Sequence, residues 1–308
     1  MKISLVGLGN VGCAIAHALV LKGFANELVL VSRRRDFAMG EALDLIHSAT
    51  FEEHQTEVYA GDTAETANSD ILIFSDSTHV PADDADNYSR YAAAESNLDR
   101  LKSRLPEMAA LSPKASVIIV TNPVDVITYF AVQLSGFPSH RVMGTGTLLD
   151  SARFRAAISQ ELTIHPDDVR AYVVGEHGDN QVAAFKGATI GGEQIDKNSK
   201  RLEMARITAR EGMTIYAQKG YTNYGVAGAT YTIAESIARN LKHTMPVSLL
   251  IDNYYDVSNI CLSLPAVISR KGIERVLRPQ LEPDEIAIFR EGAARVSETI
   301  EKLRPRLG

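Results

Sequence analysis

Several residue and segment types are scarce or absent in this chain. Tryptophan does not occur, and of 308 residues only two are cysteine. Cys13 and Cys261 lie in no metal-type or redox spacing, so we expect a reduced intracellular setting. No apolar run approaches the roughly 20 residues that span a bilayer. Because a strand-like segment begins at residue 2, we expect no signal peptide and predict a cytoplasmic protein.

An excess of positive charge is absent as well. The formal net charge is -6 at pH 7, and the only dense basic cluster is Arg33 to Arg35. Proteins that bind nucleic acid usually carry a basic stripe, so we expect neither nucleic acid nor membrane as a partner. The hydrophobic share of 45% and the length are those of an ordinary globular protein with one large or two medium domains.

Short apolar runs alternate with helical segments through the first half. The predicted strands are residues 3–6, 27–31, 57–60, 71–74, 116–120 and 141–143. Uniformly apolar strands separated by long helices predict a doubly wound parallel sheet, the Rossmann fold of the α/β class. We therefore assign residues 1–145 to a dinucleotide-binding domain.

The pattern changes near residue 146, so we assign residues 146–308 to a mixed α+β substrate domain. Its predicted strands are residues 169–174, 182–190, 247–252 and 260–267. Its predicted helices are residues 149–162, 198–219, 227–243 and 283–303.

A glycine turn joins the first strand to the first helix. Gly7, Gly9 and Gly12 enclose Asn10 and Val11 in the spacing G-x-G-x-x-G. The first glycine permits a tight turn, the second lets a pyrophosphate approach, and the third lets helix and strand pack closely. The turn predicts a dinucleotide cofactor.

The end of the second strand indicates which dinucleotide. NAD sites normally place a carboxylate here, but this strand ends in Ser32, followed by Arg33 and Arg34, with no carboxylate before Asp36. A carboxylate would repel a 2′-phosphate by about 4 kcal/mol per charge pair at ~4 Å. Serine removes that repulsion and arginine binds phosphate, so we predict NADP over NAD. The alternative is solvated arginines with mixed cofactor use.

Four further segments carry polar residues suited to chemistry. His177 lies between glycines, which leaves its ring open to a ligand. Asp150 and Arg153 are three residues apart on one helix face. Asn122 follows the fifth strand at its carboxyl end, where such sheets bind ligands. Arg90 lies in a polar loop before a helix.

Six motifs follow one another in an order typical of one family. They are G-L-G-N-V-G from residue 7, N-P-V-D-V-I-T from 122, G-F-P-x-H-R-V from 136, G-T-G-T-L-L-D-S-A-R from 144, G-E-H-G from 175 and K-G-Y-T-x-Y-G-V-A from 219. The chain resembles the L-lactate/malate dehydrogenase family over nearly its whole length. The closest likeness is to the L-2-hydroxyisocaproate dehydrogenase branch.

The resemblance implies an oxidoreductase of (S)-2-hydroxy acids and 2-oxo acids. His177 would exchange the proton, and Asp150 would hold its imidazole and favour the charged form. Arg153 would bind the substrate carboxylate, and Arg90 would polarise the carbonyl when its loop closes. Asn122 would orient His177 or the carbonyl oxygen.

The resemblance also extends to the pocket wall and to assembly. The Asn122–Pro123 bond is a candidate cis peptide. Thr222 and Val226 resemble pocket-wall positions. Residues 40–45 resemble a helix at which family members dimerise, so we expect a homodimer or homotetramer.

The loop of residues 76–90 bears on the substrate. No Lys or Arg precedes Arg90 in it, and it contains four aspartates. The second arginine typical of malate dehydrogenases is therefore missing, which argues against a dicarboxylate. A longer loop in the branch named above goes with bulkier side chains, so we predict a medium aliphatic or aromatic 2-oxo acid. His79 and Val80 are candidate specificity residues, and a second hypothesis is that the aspartates select a cationic side chain.

Three alternatives remain. One is an L-lactate or malate dehydrogenase that uses NAD. Another is a non-catalytic protein that kept the fold and the cofactor. The third, an NAD-dependent glycosidase, needs a metal site with Cys or His ligands. The sequence shows no such cluster, and we expect no metal.

Overall fold

The computed structural model describes residues 1–78 and 93–307. The strands of the first half are β1 (Lys2–Val6), β2 (Glu27–Val31), β3 (Glu57–Gly61), β4 (Ile71–Phe74), β5 (Ser116–Ile119) and β6 (Val142–Gly144). Its helices are α1 (Asn10–Lys22), α2 (Arg35–Ala49), α3 (Ala94–Leu111) and α4 (Val124–Ser135). The strands are parallel in the order β3-β2-β1-β4-β5-β6. The predicted doubly wound sheet is confirmed.

The second half extends this sheet. Its helices are α5 (Leu148–Leu162), α6 (Ser199–Lys219), α7 (Tyr224–Arg239) and α8 (Pro283–Leu303). Its strands are β7 (Val169–Arg170), β8 (Val173–Gly175), β9 (Gln181–Ala183), β10 (Thr189–Ile190), β11 (Glu193–Gln194), β12 (His243–Leu250), β13 (Cys261–Ser269) and β14 (Gly272–Val276). Because β12 pairs with β6, the sheet continues as β12-β13-β8-β9, with β14 against β13. Strands β7, β10 and β11 form a separate small sheet.

The order of the parallel strands creates a crevice. Strand β1 lies between β2 and β4. The chain therefore runs towards one edge of the parallel strands after β1 and towards the other edge after β4. Ligands bind in such a crevice, at the carboxyl ends of the strands. The glycine turn, Ser32, Asp76 and Asn122 all follow strands that end at this edge.

The two halves share a core. Ile15 of α1, Ile233 of α7 and Leu262 of β13 are buried in one hydrophobic cluster. The crevice is therefore flanked by a shared core, so many contacts fix its shape. None of the helices in residues 1–78 and 93–307 combines the length and apolarity needed to cross a membrane.

Three predicted elements were wrong in extent. Residues 169–174 are not one strand, because β7 ends at Arg170 in the small sheet and β8 begins at Val173 in the large one. Residues 182–190 are not one strand, because β9 ends at Ala183 and a 3₁₀ turn at Phe185–Gly187 precedes β10. Helix α7 ends at Arg239 rather than near residue 243, since Asn240 and Lys242 have φ angles of 55° and 58°. A left-handed residue stops the helical hydrogen-bond ladder, and β12 begins directly afterwards.

Candidate active site

A cleft of about 660 Å³ lies at the carboxyl edge of the parallel strands. The residues predicted to contact cofactor or substrate that line it are Gly7, Gly9, Asn10, Val11, Gly12, Ser32, Arg33, Arg34, Asn122, Thr222 and Val226. The structure thus gathers onto one surface residues that are up to 219 positions apart, from Gly7 to Val226. The size and the lining suit an elongated, anionic ligand.

The three glycines of the turn have different surroundings. Gly7 has a φ of 95°, and a Cβ there would overlap the backbone of Asp76. A Cβ on Gly12 would overlap the Gly7 carbonyl oxygen. Gly9 instead has open space around its Cβ position and directly precedes α1. The helix N–H groups behind Gly9 are therefore open to an anion.

The segment after β2 is joined to the glycine turn. Ser32 Oγ accepts a hydrogen bond from the Arg34 backbone nitrogen at 3.2 Å. The Arg34 guanidinium donates to the Leu8 carbonyl oxygen at 3.2 Å, which holds it beside the turn. Arg33 is exposed, and within the described residues it has no hydrogen bond or ion pair. Its charge is available to a ligand.

One buried carboxylate, that of Asp150, connects two other predicted residues, one catalytic and one substrate-binding. Asp150, on the first turn of α5, is 1% exposed. Its Oδ2 lies 2.6 Å from Nδ1 of His177, and its Oδ1 accepts from the Arg153 guanidinium at 3.1 Å. Glu211 Oε2 lies 3.8 Å from the other side of Arg153. His177 and Arg153 therefore have fixed positions relative to each other. None of these three predicted residues is among those that line the cleft.

Asp125 is a site residue for which the sequence predicted no role. Its Oδ2 accepts from the backbone nitrogen of His177 at 2.7 Å, and its Oδ1 accepts from Ser248 Oγ at 2.6 Å. Burial raises the pKa of Asp125 to about 6, although both donors act in the opposite direction. An acidic residue between Val124 and Val126, within an apolar run, was the available signal that this carboxylate is buried and partnered.

Asn97 joins the ends of two strands beside the cleft. Its Nδ2 donates to the Asn122 carbonyl oxygen at 2.7 Å, and its Oδ1 accepts from the Thr78 nitrogen at 2.8 Å. The Asn122–Pro123 bond is cis, as predicted. Three predicted residues lie outside the described part of the chain: His79, Val80 and Arg90. In the part that is described, no group of three or more His, Cys, Asp or Glu is placed to hold a metal.

Comparisons with known proteins agree over the whole length. The NAD-binding domain of lactate/malate dehydrogenases matches residues 1–144, and the α/β C-terminal domain of the same enzymes matches residues 147–305. An L-lactate dehydrogenase of Thermoanaerobacter sp. (strain X514) is 36% identical over 98% of this chain and 99% of that protein. The L-lactate dehydrogenase B chain of Xenopus laevis is 35% identical over 95% of this chain and 90% of that protein.

A solved structure has the same fold. The minor L-lactate dehydrogenase from Enterococcus mundtii, in its ligands-bound form, superposes with a TM-score of 0.92 and 29% identity. The match covers 98% of both chains. The chain therefore belongs to the lactate/malate dehydrogenase family and is an L-2-hydroxy acid dehydrogenase that uses a nicotinamide cofactor.

Proposed function

We propose that this enzyme interconverts medium-sized (S)-2-hydroxy acids and 2-oxo acids, prefers NADP, and uses His177 as its proton-transfer group. The single observation that carries the catalytic assignment is the bridging carboxylate of Asp150, 2.6 Å from His177 and 3.1 Å from Arg153. A proton donor and a carboxylate anchor fixed to one buried group are what a 2-oxo acid needs, because its carbonyl and carboxylate are adjacent.

The roles of the residues follow from their contacts. The bound nicotinamide ring supplies or accepts the hydride. Because Asp150 engages Nδ1 of His177, Nε2 is the nitrogen left to deliver a proton to the carbonyl oxygen during reduction, and the anionic carboxylate stabilises the imidazolium. Arg153 anchors the substrate carboxylate and thereby sets its orientation. Arg90 would polarise the carbonyl, by the resemblance noted above.

The preference for NADP is supported by the segment after β2. Ser32 provides a hydroxyl where a carboxylate would repel a 2′-phosphate, and Arg33 is exposed in the cleft beside it. Arg34 holds the segment against Leu8 of the glycine turn. Arg35 contributes less, because it pairs with Asp62.

The proposed substrate preference rests on the sequence of residues 76–90. A different observation favours a second candidate function. The lack of a Lys or Arg before Arg90 argues against a dicarboxylate. L-Lactate oxidation with NAD is the alternative, because relatives at 36% and 35% identity carry the name L-lactate dehydrogenase. The two candidates differ in side-chain size and in cofactor, so one experiment separates them.

The test is a panel of 2-oxo acids assayed with NADPH and NADH side by side. We expect kcat/KM to be highest for 2-oxoisocaproate or phenylpyruvate with NADPH, lower for pyruvate and lowest for oxaloacetate. A maximum for pyruvate with NADH would establish the second candidate instead. If 2-oxo acids with cationic side chains give an equal or lower kcat/KM than 2-oxoisocaproate, the hypothesis that the loop aspartates select a cation is removed.

A His177→Asn variant tests the proton-transfer role in the same panel. We expect kcat to fall by about 10²- to 10⁴-fold, since general acid–base catalysis contributes that much to the rate. The cofactor affinity should stay unchanged. His165→Asn is the matched control, because His165 is exposed on the second half of the chain. Undiminished turnover by His177→Asn would refute the role.

A homodimer is the assembly that we propose. Helix α2 exposes Met39, Leu43 and Ile46 at helical spacing, with 56%, 56% and 42% of their surface accessible. An apolar stripe of this kind is typical of an interface, and a twofold axis would let a second copy cover it with the same stripe. We call these three residues the α2 stripe.

A further inference from the structure

Arginines line both walls of the cleft. Arg33 and Arg34 follow β2 on one wall, and Arg100 and Arg104 lie on α3 on the other. Within the described lining, Asp76 is the only acidic residue. The protein carries a net charge of -6, so this surplus of positive charge is local to the cleft.

Arg100 is held by the protein itself. Its guanidinium donates to Asp76 at 3.3 Å and to Thr78 Oγ1 at 3.1 Å, and both charged side chains are mostly buried. The backbone of Asp76 lies against Gly7, so an unpaired carboxylate here would stand near the phosphates of a bound dinucleotide. Arg100 neutralises Asp76, and little of its charge remains for a ligand.

Arg104 differs from Arg100 in having no such partner. It lies four residues further along α3, on the same face, and it lines the cleft. Among the residues that the structure describes, it makes no hydrogen bond and no ion pair, and the same holds for Arg33 on the opposite wall. Two guanidinium groups without partners thus border one cleft from both sides.

We infer that Arg104 is a specificity-determining residue that binds, together with Arg33, the 2′-phosphate of the adenosine moiety of NADP. Arg100 is a positioning residue that removes the repulsion of Asp76. The inference rests on the proposed preference for NADP. It adds a residue of α3 to the site that would bind the 2′-phosphate. A guanidinium can instead stack on adenine, but a stacked arginine would contribute equally to NAD and NADP because both contain that base.

The test measures binding of adenosine 2′,5′-bisphosphate and 5′-AMP by titration calorimetry. These probes differ only in the 2′-phosphate and need no turnover. In Arg104→Ala, we expect the affinity for the bisphosphate to fall by about 10- to 100-fold, the value of one charge-assisted hydrogen bond, and the affinity for AMP to change less than about 2-fold. Arg104→Lys should recover part of the loss, because it keeps the charge without the fork. Arg170→Ala, at an exposed arginine of β7, is the control and should change neither affinity.

The outcomes separate the two proposals. If the unmodified enzyme binds AMP as tightly as the bisphosphate, the preference for NADP fails and this inference fails with it. If the enzyme prefers the bisphosphate and Arg104→Ala keeps that preference, only the role of Arg104 is overturned. An equal loss for both probes would assign Arg104 to adenine stacking and would also overturn the inference.

Discussion

At the scale of single residues, His177 is held at two places by two carboxylates. Asp150 engages the ring nitrogen Nδ1, and Asp125 accepts from the backbone nitrogen. The first contact orients the imidazole, and the second fixes the chain from which it projects. Ser248 completes the arrangement by donating to the other oxygen of Asp125.

The raised pKa of Asp125 makes a prediction about stability. Its pKa rises from 3.8 to about 6, so the folded state binds a proton more tightly than the unfolded state does. The associated stabilisation is present below pH 4 and is lost as pH rises through 6, up to about 3 kcal/mol for a shift of this size. Asp125→Asn cannot titrate. The difference in free energy of unfolding, variant minus unmodified enzyme, should therefore increase between pH 4 and 7, as measured by urea denaturation at each pH.

Ser248→Ala is the matched variant for this prediction. It removes a donor that lowers the pKa of Asp125, so the pH range over which stability is lost should move upward. Parallel stability curves for the unmodified enzyme and Asp125→Asn across this pH range would contradict the prediction, whatever the absolute loss caused by the substitution.

At the scale of elements, the turn between β1 and α1 separates folding from binding. Gly7 and Gly12 are required by the fold, because a side chain at either position would overlap backbone atoms. Gly9 is not, since its Cβ position is open and its φ is -95°. A side chain there would occupy the space in front of the α1 N-terminus, where an anion is expected to bind.

Substitution by alanine should separate these two requirements. Gly9→Ala should keep the melting temperature and raise the cofactor Kd by about 10-fold or more, because losing about 1.4 kcal/mol of binding energy is a tenfold effect. Gly12→Ala should lower the melting temperature, since the helix must move away from the strand. Calorimetric melting and cofactor titration of both variants test this. A Gly9→Ala variant with normal cofactor affinity would show that the phosphates do not approach the turn.

Prediction from sequence succeeded for α8 and failed for α4, and the reason is burial. The predicted range 283–303 agrees with α8 because Pro283 occupies its first turn, a capping box joins Glu282 to Glu285, and its apolar residues follow helical spacing. Between the strands predicted at 116–120 and 141–143, the sequence pattern defined no bounds for a helix. Every residue from Val124 to Ala131 is buried, so polar residues such as Asp125 and Thr128 do not mark a solvent-facing side of α4.

At the scale of the whole molecule, the α2 stripe carries a prediction about assembly. Leu43→Asp places a charge at the centre of the proposed interface. By sedimentation we expect twice 33.5 kDa for the unmodified enzyme and a monomer of 33.5 kDa for the variant. Leu241→Asp is the control, because Leu241 is exposed to 39% elsewhere on the surface. A monomeric unmodified enzyme, or a Leu43→Asp variant that stays dimeric, would contradict the proposed interface.

The sequence alone determined the doubly wound sheet, the glycine turn and the identity of His177, Asp150 and Arg153 as candidates, because these depend on local periodicity and on short motifs. Only the tertiary structure decided that Asp125 supports His177 across 52 residues, that the large sheet continues through the antiparallel strand β12, and that Arg104 lies in the same cleft as Arg33. Such contacts arise from strand order and helix packing. A linear pattern does not record them, because residues that meet in the folded chain need share no spacing.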